Sequence, residues 1–253
     1  MRQSHPQFDY DAVFEVDDHM YFYGESLTDE RSDIEVASLV QIARLDTPLR
    51  ILDVPCGFGR HTNRLAVLGQ HMTGVDMYPG FLELARRDAE ARGVQVDYRQ
   101  GDMRHLDFEA EFERVIMLFT SFGYFEDEDN FRVLENVARA LTPNGLFILD
   151  VPNRDMTMKT ISPAHVTEKN GNLMIDRVNF DTLTGRMHNH RIVIRNGVRK
   201  EKPFFVRLYN PTELRDWLVR AGMGIDFIYG GYDLSPLGED SRRMIVVAKR
   251  TAF

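Results

Sequence analysis

Arg50-Ile-Leu-Asp-Val-Pro-Cys-Gly-Phe-Gly-Arg60 decides the fold. Ile51 to Val54 is a short β-branched and apolar run, which reads as a buried strand. It breaks into Pro55-Cys56-Gly57-Phe58-Gly59, and the amphipathic segment Arg60–Leu68 follows, with Leu65, Ala66 and Leu68 on one helical face. Strand, glycine turn and helix open a nucleotide-binding βα unit, in which a Cβ would keep a ligand off the backbone. The missing parts narrow the ligand. A dinucleotide fingerprint needs a third glycine where Thr62 stands, and no Gly-Lys-Ser/Thr follows for a phosphate loop. A helix start serves a carboxylate as well as a phosphate. An adenosine without phosphates suits this turn.

Two further strand ends agree. His71 to Asp76 is a second strand pattern, and Asp76 lies about twenty residues past the glycines, where a carboxylate accepts both ribose hydroxyls. Met77 is placed to lie on an adenine face. Val94 to Arg99 leads into Gly101-Asp102-Met103, where Asp102 can accept from an adenine amino group while the next N–H serves a ring nitrogen. Phe112–Phe119, almost continuously apolar, reads as a central parallel strand. It opens into Thr120-Ser-Phe-Gly-Tyr-Phe125, and ligands in open α/β sheets lie beyond carboxyl strand ends. Leu118 and Phe119 are expected to touch the ligand; Ser121 and Tyr124 face either the reacting group or only their neighbours.

The order Asp53-Val-Pro-Cys-Gly-Phe-Gly59, Gly74-Val-Asp-Met77, Gly101-Asp-Met103 and Leu141-Thr-Pro-Asn-Gly-Leu-Phe-Ile-Leu-Asp150 resembles the class I S-adenosylmethionine-dependent methyltransferases, over roughly Arg50 to Val151. The Tyr-rich approach and Ser121-Phe-Gly-Tyr-Phe125 are similar to the bacterial small-molecule members. The resemblance implies an α/β fold with a Rossmann-like, mostly parallel sheet and an antiparallel last strand. It implies S-adenosylmethionine as cofactor, S-adenosylhomocysteine as product and a small-molecule acceptor methylated on O, N or C by direct displacement. Its cofactor set here is Asp53, Pro55, Cys56, Gly57, Gly59, Arg60, Asp76, Met77, Asp102, Met103, Leu118 and Phe119, with Tyr10, Tyr21 and Tyr23 from a lid. Pro55 departs from the usual glycine and removes an N–H. Arg60 either pairs with the cofactor carboxylate or is a solvated first-turn residue.

Composition sets outer bounds. The 253 residues fit one large domain, or one with an insertion, and 43% hydrophobic with 28% charged residues is ordinary for a globular chain. A net charge of -8 without a basic block argues against nucleic acid. No apolar run approaches a membrane span and no leader is legible, so the expected compartment is the cytosol. The one cysteine, Cys56, excludes an intrachain disulfide.

The flanks complete the reading. Residues 1–45 form an aromatic and helical arm carrying Phe8, Tyr10, Phe14, Tyr21, Phe22 and Tyr23, either packed on the core or closing over the cofactor. Thr28 caps a helix with an acidic first turn. Residues 46–152 and 209–253 form the cofactor-binding core. Between them, 153–208 alternates as an antiparallel insertion of three strands, Leu173–Phe180, Met187–Arg195 and Phe204–Tyr209, capping the site or forming a homodimer surface. His190, with Tyr124 and Tyr21, is the catalytic candidate: a hydroxyl or acidic carbon needs a base, and His190 shares a strand face with His188. No third ligand spacing supports a metal. Arg191 and Arg154 are candidates for an acidic acceptor or for ordinary surface roles. The rival readings are a non-catalytic sensor of the cofactor or its product, and a dinucleotide-dependent oxidoreductase, which lacks the third glycine and a Tyr-x-x-x-Lys.

Overall fold

The structure, a computed structural model, describes residues 9–251; Phe8 lies outside them. The arm holds α1 (Tyr10–Val13), α2 (Val16–Tyr23) and α3 (Asp29–Ile42). The core runs β1 (Arg50–Asp53), α4 (Thr62–Val67), β2 (His71–Asp76), α5 (Pro79–Ala91), β3 (Asp97–Gln100), β4 (Phe112–Met117), α6 (Asp127–Ala140) and β5 (Leu141–Pro152). Then come α7 (Arg154–Thr160), β6 (Ala164–Lys169), β7 (Asn172–Asp181), β8 (Arg186–Arg195) and β9 (Val198–Arg207). The chain closes with α8 (Pro211–Arg220), β10 (Met223–Tyr229) and β11 (Arg243–Arg250).

The main sheet has seven strands in the order β10-β11-β5-β4-β1-β2-β3, with β11 antiparallel to β5 and β10 antiparallel to β11. Its strands are apolar on both faces, because successive side chains alternate sides. Leu52, Val115, Met117, Phe147 and Leu149 bury one face with Val133, Leu134 and Val137 of α6 and Leu214 and Leu218 of α8. Ile51, Ile116, Ile148, Ile245 and Val247 bury the other with Val36, Leu39 and Ile42 of α3. Each such side chain contributes about 1.5–3 kcal/mol. Thr28 caps α3 through its hydroxyl, which accepts from the Arg31 N–H at 3.2 Å.

Strand order reverses at β1, which lies between β2 and β4. That places Asp53, Asp76 and Leu118 at neighbouring carboxyl ends, where a crevice opens in such sheets. α4 begins at Thr62 rather than Arg60, because the turn continues through the glycines. β5 begins at Leu141, five residues before Leu146, since Leu141 already pairs with Phe112.

The insertion is a four-stranded antiparallel sheet, β6-β7-β8-β9, not three-stranded. The missed strand, β6, is an edge with mostly exposed side chains, so no hydrophobic alternation announces it. β9 starts at Val198 because its first four residues form the exposed half of a long hairpin with β8. The arm is clasped to this cap. Lys202, 2% exposed, donates to Asp18 at 2.6 Å and to Glu15 at 2.9 Å. Arg195 adds a 3.0 Å bond to Asp18.

Candidate active site

The glycine turn is built around two buried acids. Asp53 accepts from the Thr62 hydroxyl at 2.6 Å, and burial pushes its carboxyl up to about 7 despite that bond and the Arg60 cation. Asp76 accepts from the backbone N–H of Gly57 at 2.8 Å and of Tyr78 at 2.9 Å, one on each oxygen. Burial raises its pKa, and these N–H groups partly offset the rise. With Met77 adding a third backbone N–H, the carboxylate still has acceptor capacity left for a ligand. Gly57 has φ +53°, and a Cβ built there would meet no protein atom within 4 Å. The space beside it is open. Gly59 has another reason to be glycine: a Cβ there would lie 2.9 Å from Ala85 and strike Tyr98. Pro55 follows a cis Val54–Pro55 peptide, and the next N–H, of Cys56, is already given to Val75 O at 2.9 Å.

Arg60 is buried, not solvated. It pairs with Glu35 of α3 and donates to Ser32 at 3.3 Å, and its guanidinium lies 5.1 Å from the Phe119 ring centroid. One of its terminal nitrogens is buried without a partner. Burial alone would raise the Glu35 carboxyl, but hydrogen bonds from His61 at 2.8 Å and Arg31 at 2.9 Å, with the Arg60 charge, hold it at about 2. The turn after β4 places Phe119 and Thr120 at φ +57° and +62°. Asp150 steadies it by accepting from the Phe119 N–H at 3.0 Å and from Arg243 at 2.7 Å, while Arg243 also donates to Thr120 at 2.8 Å.

These strand ends form one wall of a cavity of about 340 Å³. The remaining wall is aromatic and comes from the arm, the start of α5, the loop after β4 and the cap. Its rings touch in succession: Tyr23 to His19 at 5.0 Å, His19 to Phe81 at 5.3 Å and Phe81 to Tyr78 at 6.3 Å. Tyr78 meets Phe14 at 5.8 Å, Phe14 meets Tyr124 at 5.2 Å and Tyr124 meets Phe204 at 6.3 Å. Arg191 lies over Phe204 at 5.1 Å and over Tyr23 at 5.6 Å, closing the circle. Its guanidinium is held by Asp176 at 2.7 and 3.0 Å and donates to the Tyr23 hydroxyl at 2.7 Å. Burial, with the Arg191 charge, lowers the His19 imidazole to about 4, so it is neutral above pH 5. Burial pushes the Tyr124 phenol up to about 12.

A sequence-family model described as a methyltransferase domain matches residues 51–145, from β1 through the start of β5. This part of the chain is a methyltransferase domain. A putative methyltransferase of a Geobacillus species is 27% identical over 221 residues, 79% of this chain and 84% of that protein. A ubiquinone biosynthesis O-methyltransferase of Azorhizobium caulinodans is 36% identical over 118 residues, only 47% of this chain and 45% of that protein. CalS10 of Micromonospora echinaspora, an amino pentose methyltransferase solved with S-adenosylmethionine bound, shares the fold at a TM-score of 0.64 and 23% identity, covering 98% of this chain and 100% of that one.

In this chain most of the expected cofactor set meets in one cavity: Asp53, Pro55, Cys56, Gly57, Arg60, Asp76, Met77, Met103, Leu118 and Phe119, with Tyr10 and Tyr23; the catalytic candidate Tyr124 lines it as well. Four expected residues are not in its wall. Gly59 packs behind the turn. Asp102 folds back on Arg104, accepting from its backbone N–H at 2.8 Å and its side chain at 2.9 Å. Tyr21 is consumed by the arm–cap junction, donating to Lys169 O at 2.9 Å and accepting from Asn172 at 2.7 Å. His190 is the clearest correction. It shares a face with His188, but that face borders a separate hollow, and His190 is half-exposed and 2.8 Å from Glu201. Period-two alternation fixes which residues share a face, not which face meets the cavity. The opposite face carries Arg191. His19 was missed entirely, because α2 carries no motif and its histidine reaches the cavity only through the clasp of arm to cap. Among the described residues no three His, Cys, Asp or Glu side chains gather to hold a metal ion.

Proposed function

We propose that the cofactor lies along the carboxyl ends of β1, β2 and β4, and that the acceptor lies within the aromatic wall. Three features of the chain fit the cofactor: the open space beside Gly57, the lone pairs left on Asp76 and the unpartnered nitrogen of Arg60. Asp76 would take the ribose hydroxyls, Arg60 the carboxylate, and Met77, Met103 and Leu118 the adenine faces. When bound, the sulfonium supplies an activated methyl group. The chain's own work is to align the acceptor, which supplies on the order of 7–11 kcal/mol at best, and to keep water out with the arm and cap. The single observation that carries this reading is the convergence of Gly57, Asp76 and Arg60 on one cavity wall.

The reading divides the chain into an arm (1–45), a core (46–152 and 209–253) and a cap (153–208). Arm and cap together close the cavity, through Tyr23, His19, Arg191 and Phe204. A homodimer through the cap's outer surface is part of the proposal; Val166 and Val198 there are more than half exposed. The buried free thiol of Cys56 fits a reducing compartment, the cytosol.

Calorimetry with S-adenosylmethionine and S-adenosylhomocysteine tests the site. Both are expected to bind, and Asp76→Ala to weaken them at least tenfold, about 1.4 kcal/mol. Unchanged affinity in that variant would remove the ribose assignment.

A further inference from the structure

The aromatic wall is more than a lid. Its contacts form a closed collar to which arm, core and cap all contribute, and half of its ring contacts are steep, 73° for Phe14–Tyr124, 84° for His19–Phe81 and 82° for Tyr78–Phe81, while the other half lie at 31–37°. Such a collar offers both faces and edges to its lumen, the two surfaces a planar π system packs against. Apart from Arg191, its polar groups are few and uncharged. The Tyr78 hydroxyl is buried and has no hydrogen-bond partner. The ring nitrogens of His19 have none in the protein among the described residues. The Tyr23 oxygen accepts from Arg191, which leaves its O–H to donate. The one cation of the collar is spoken for, since Asp176 grips Arg191 on two nitrogens. A buried polar group left unpaired costs about 1–3 kcal/mol, so the Tyr78 hydroxyl points to a ligand that satisfies it, and the His19 imidazole on the same cavity wall is open to that ligand.

We infer that the acceptor is an uncharged, planar aromatic ring bearing a hydroxyl or amino group, seated inside this collar, with His19 and the Tyr78 hydroxyl as the hydrogen-bond partners of its heteroatoms. This rests on the methyltransferase reading above and narrows it. A carboxylated or phosphorylated acceptor finds no unpaired cation in the collar. A permanently cationic one finds no unpaired carboxylate there, since Asp176 is already engaged by Arg191. A saturated ring would lose the stacking and edge contacts, each worth about 0.5–1.5 kcal/mol.

The test separates this inference from the cofactor site. The full chain is first titrated with S-adenosylhomocysteine, then, saturated with it, with three probes: 4-ethylphenol, its saturated counterpart 4-ethylcyclohexanol, and tetramethylammonium. 4-Ethylphenol is expected to bind at least tenfold more tightly than either of the others. His19→Gln and Phe204→Leu, made separately, are each expected to weaken 4-ethylphenol at least fivefold; a second ring variant, Phe14→Leu, stands in should Phe204→Leu fail to fold. If S-adenosylhomocysteine does not bind, the cofactor reading falls and this inference with it. If it binds but 4-ethylphenol does not, or either comparison probe equals it, the cofactor reading stands and the aromatic acceptor is overturned. Variants that leave 4-ethylphenol binding unchanged would also overturn it.

Discussion

The two walls of the cavity are built on opposite terms. The strand-end wall is made by residues close together in sequence with backbone N–H groups as its donors: Gly57 and Tyr78 serve Asp76 directly. The collar wall is made by side chains from segments as far apart as Phe14 and Phe204, brought together by ion pairs between arm and cap. The Gly57–Asp76 part of the first wall needs only β1, β2 and the turn after β1 to form. The second exists only when the arm is docked. A ligand common to a whole family suits the first kind of wall, and one particular to this chain suits the second.

The contrast breaks most readily at the clasp. Lys202→Met leaves Asp18 buried without its closest cation, and breaking a buried pair in this way costs about 3–5 kcal/mol. The thermal midpoint is expected to fall by roughly 10 °C, at about 2–4 °C per kcal/mol for a chain of this size. Adding Asp18→Leu should recover most of that loss. A midpoint unmoved by Lys202→Met would mean that the arm is not held in this way.

Glu35 gives the next effect, on the side of the strand-end wall. Its carboxyl is held at about 2, from an ordinary value of 4.5. A lowered acid pKa adds stability that is complete above about pH 4.5 and is lost as pH falls toward 2. The difference corresponds to about 3 kcal/mol. Denaturant titrations of Glu35→Gln should therefore show a flatter stability curve between pH 4.5 and 2 than the wild type. Parallel curves would contradict the burial of the Glu35–Arg60–His61 group.

How far the sequence speaks follows the same division. Asp53, Gly57, Asp76 and Met103 were legible because each closes a local strand–turn pattern, and hydrophobic runs such as Val115–Met117 placed the strands between them. Gly59 and Asp102 were legible in position but not in the contacts they make, since packing against Tyr98 and capture by the Arg104 side chain leave no pattern in the sequence. His190 was named and His19 was not, because strand alternation is visible in a sequence, whereas the docking of α2 on a cap nearly two hundred residues away is not. β6 stayed hidden because a strand with mostly exposed side chains has no hydrophobic period to read.

Two smaller predictions sharpen the division. Asp102→Ala should weaken S-adenosylhomocysteine by less than threefold, well under the effect of Asp76→Ala, because its carboxylate is turned onto Arg104. A loss equal to that of Asp76→Ala would restore Asp102 to the adenine. His190→Ala should change neither cofactor affinity nor stability by more than about 0.5 kcal/mol, the range of an exposed surface site. A larger change in cofactor affinity would bring the outer face of the cap back into the site.

The central claim is that three adjacent strand ends grip an adenosyl ligand while arm and cap close around its reacting end. A crystal structure of the full chain grown with S-adenosylhomocysteine tests it most directly. The account predicts ribose density within hydrogen-bond distance of Asp76, beside Gly57, with the amino-acid end near Arg60. Density elsewhere, or strand ends left empty at saturating ligand, would contradict it.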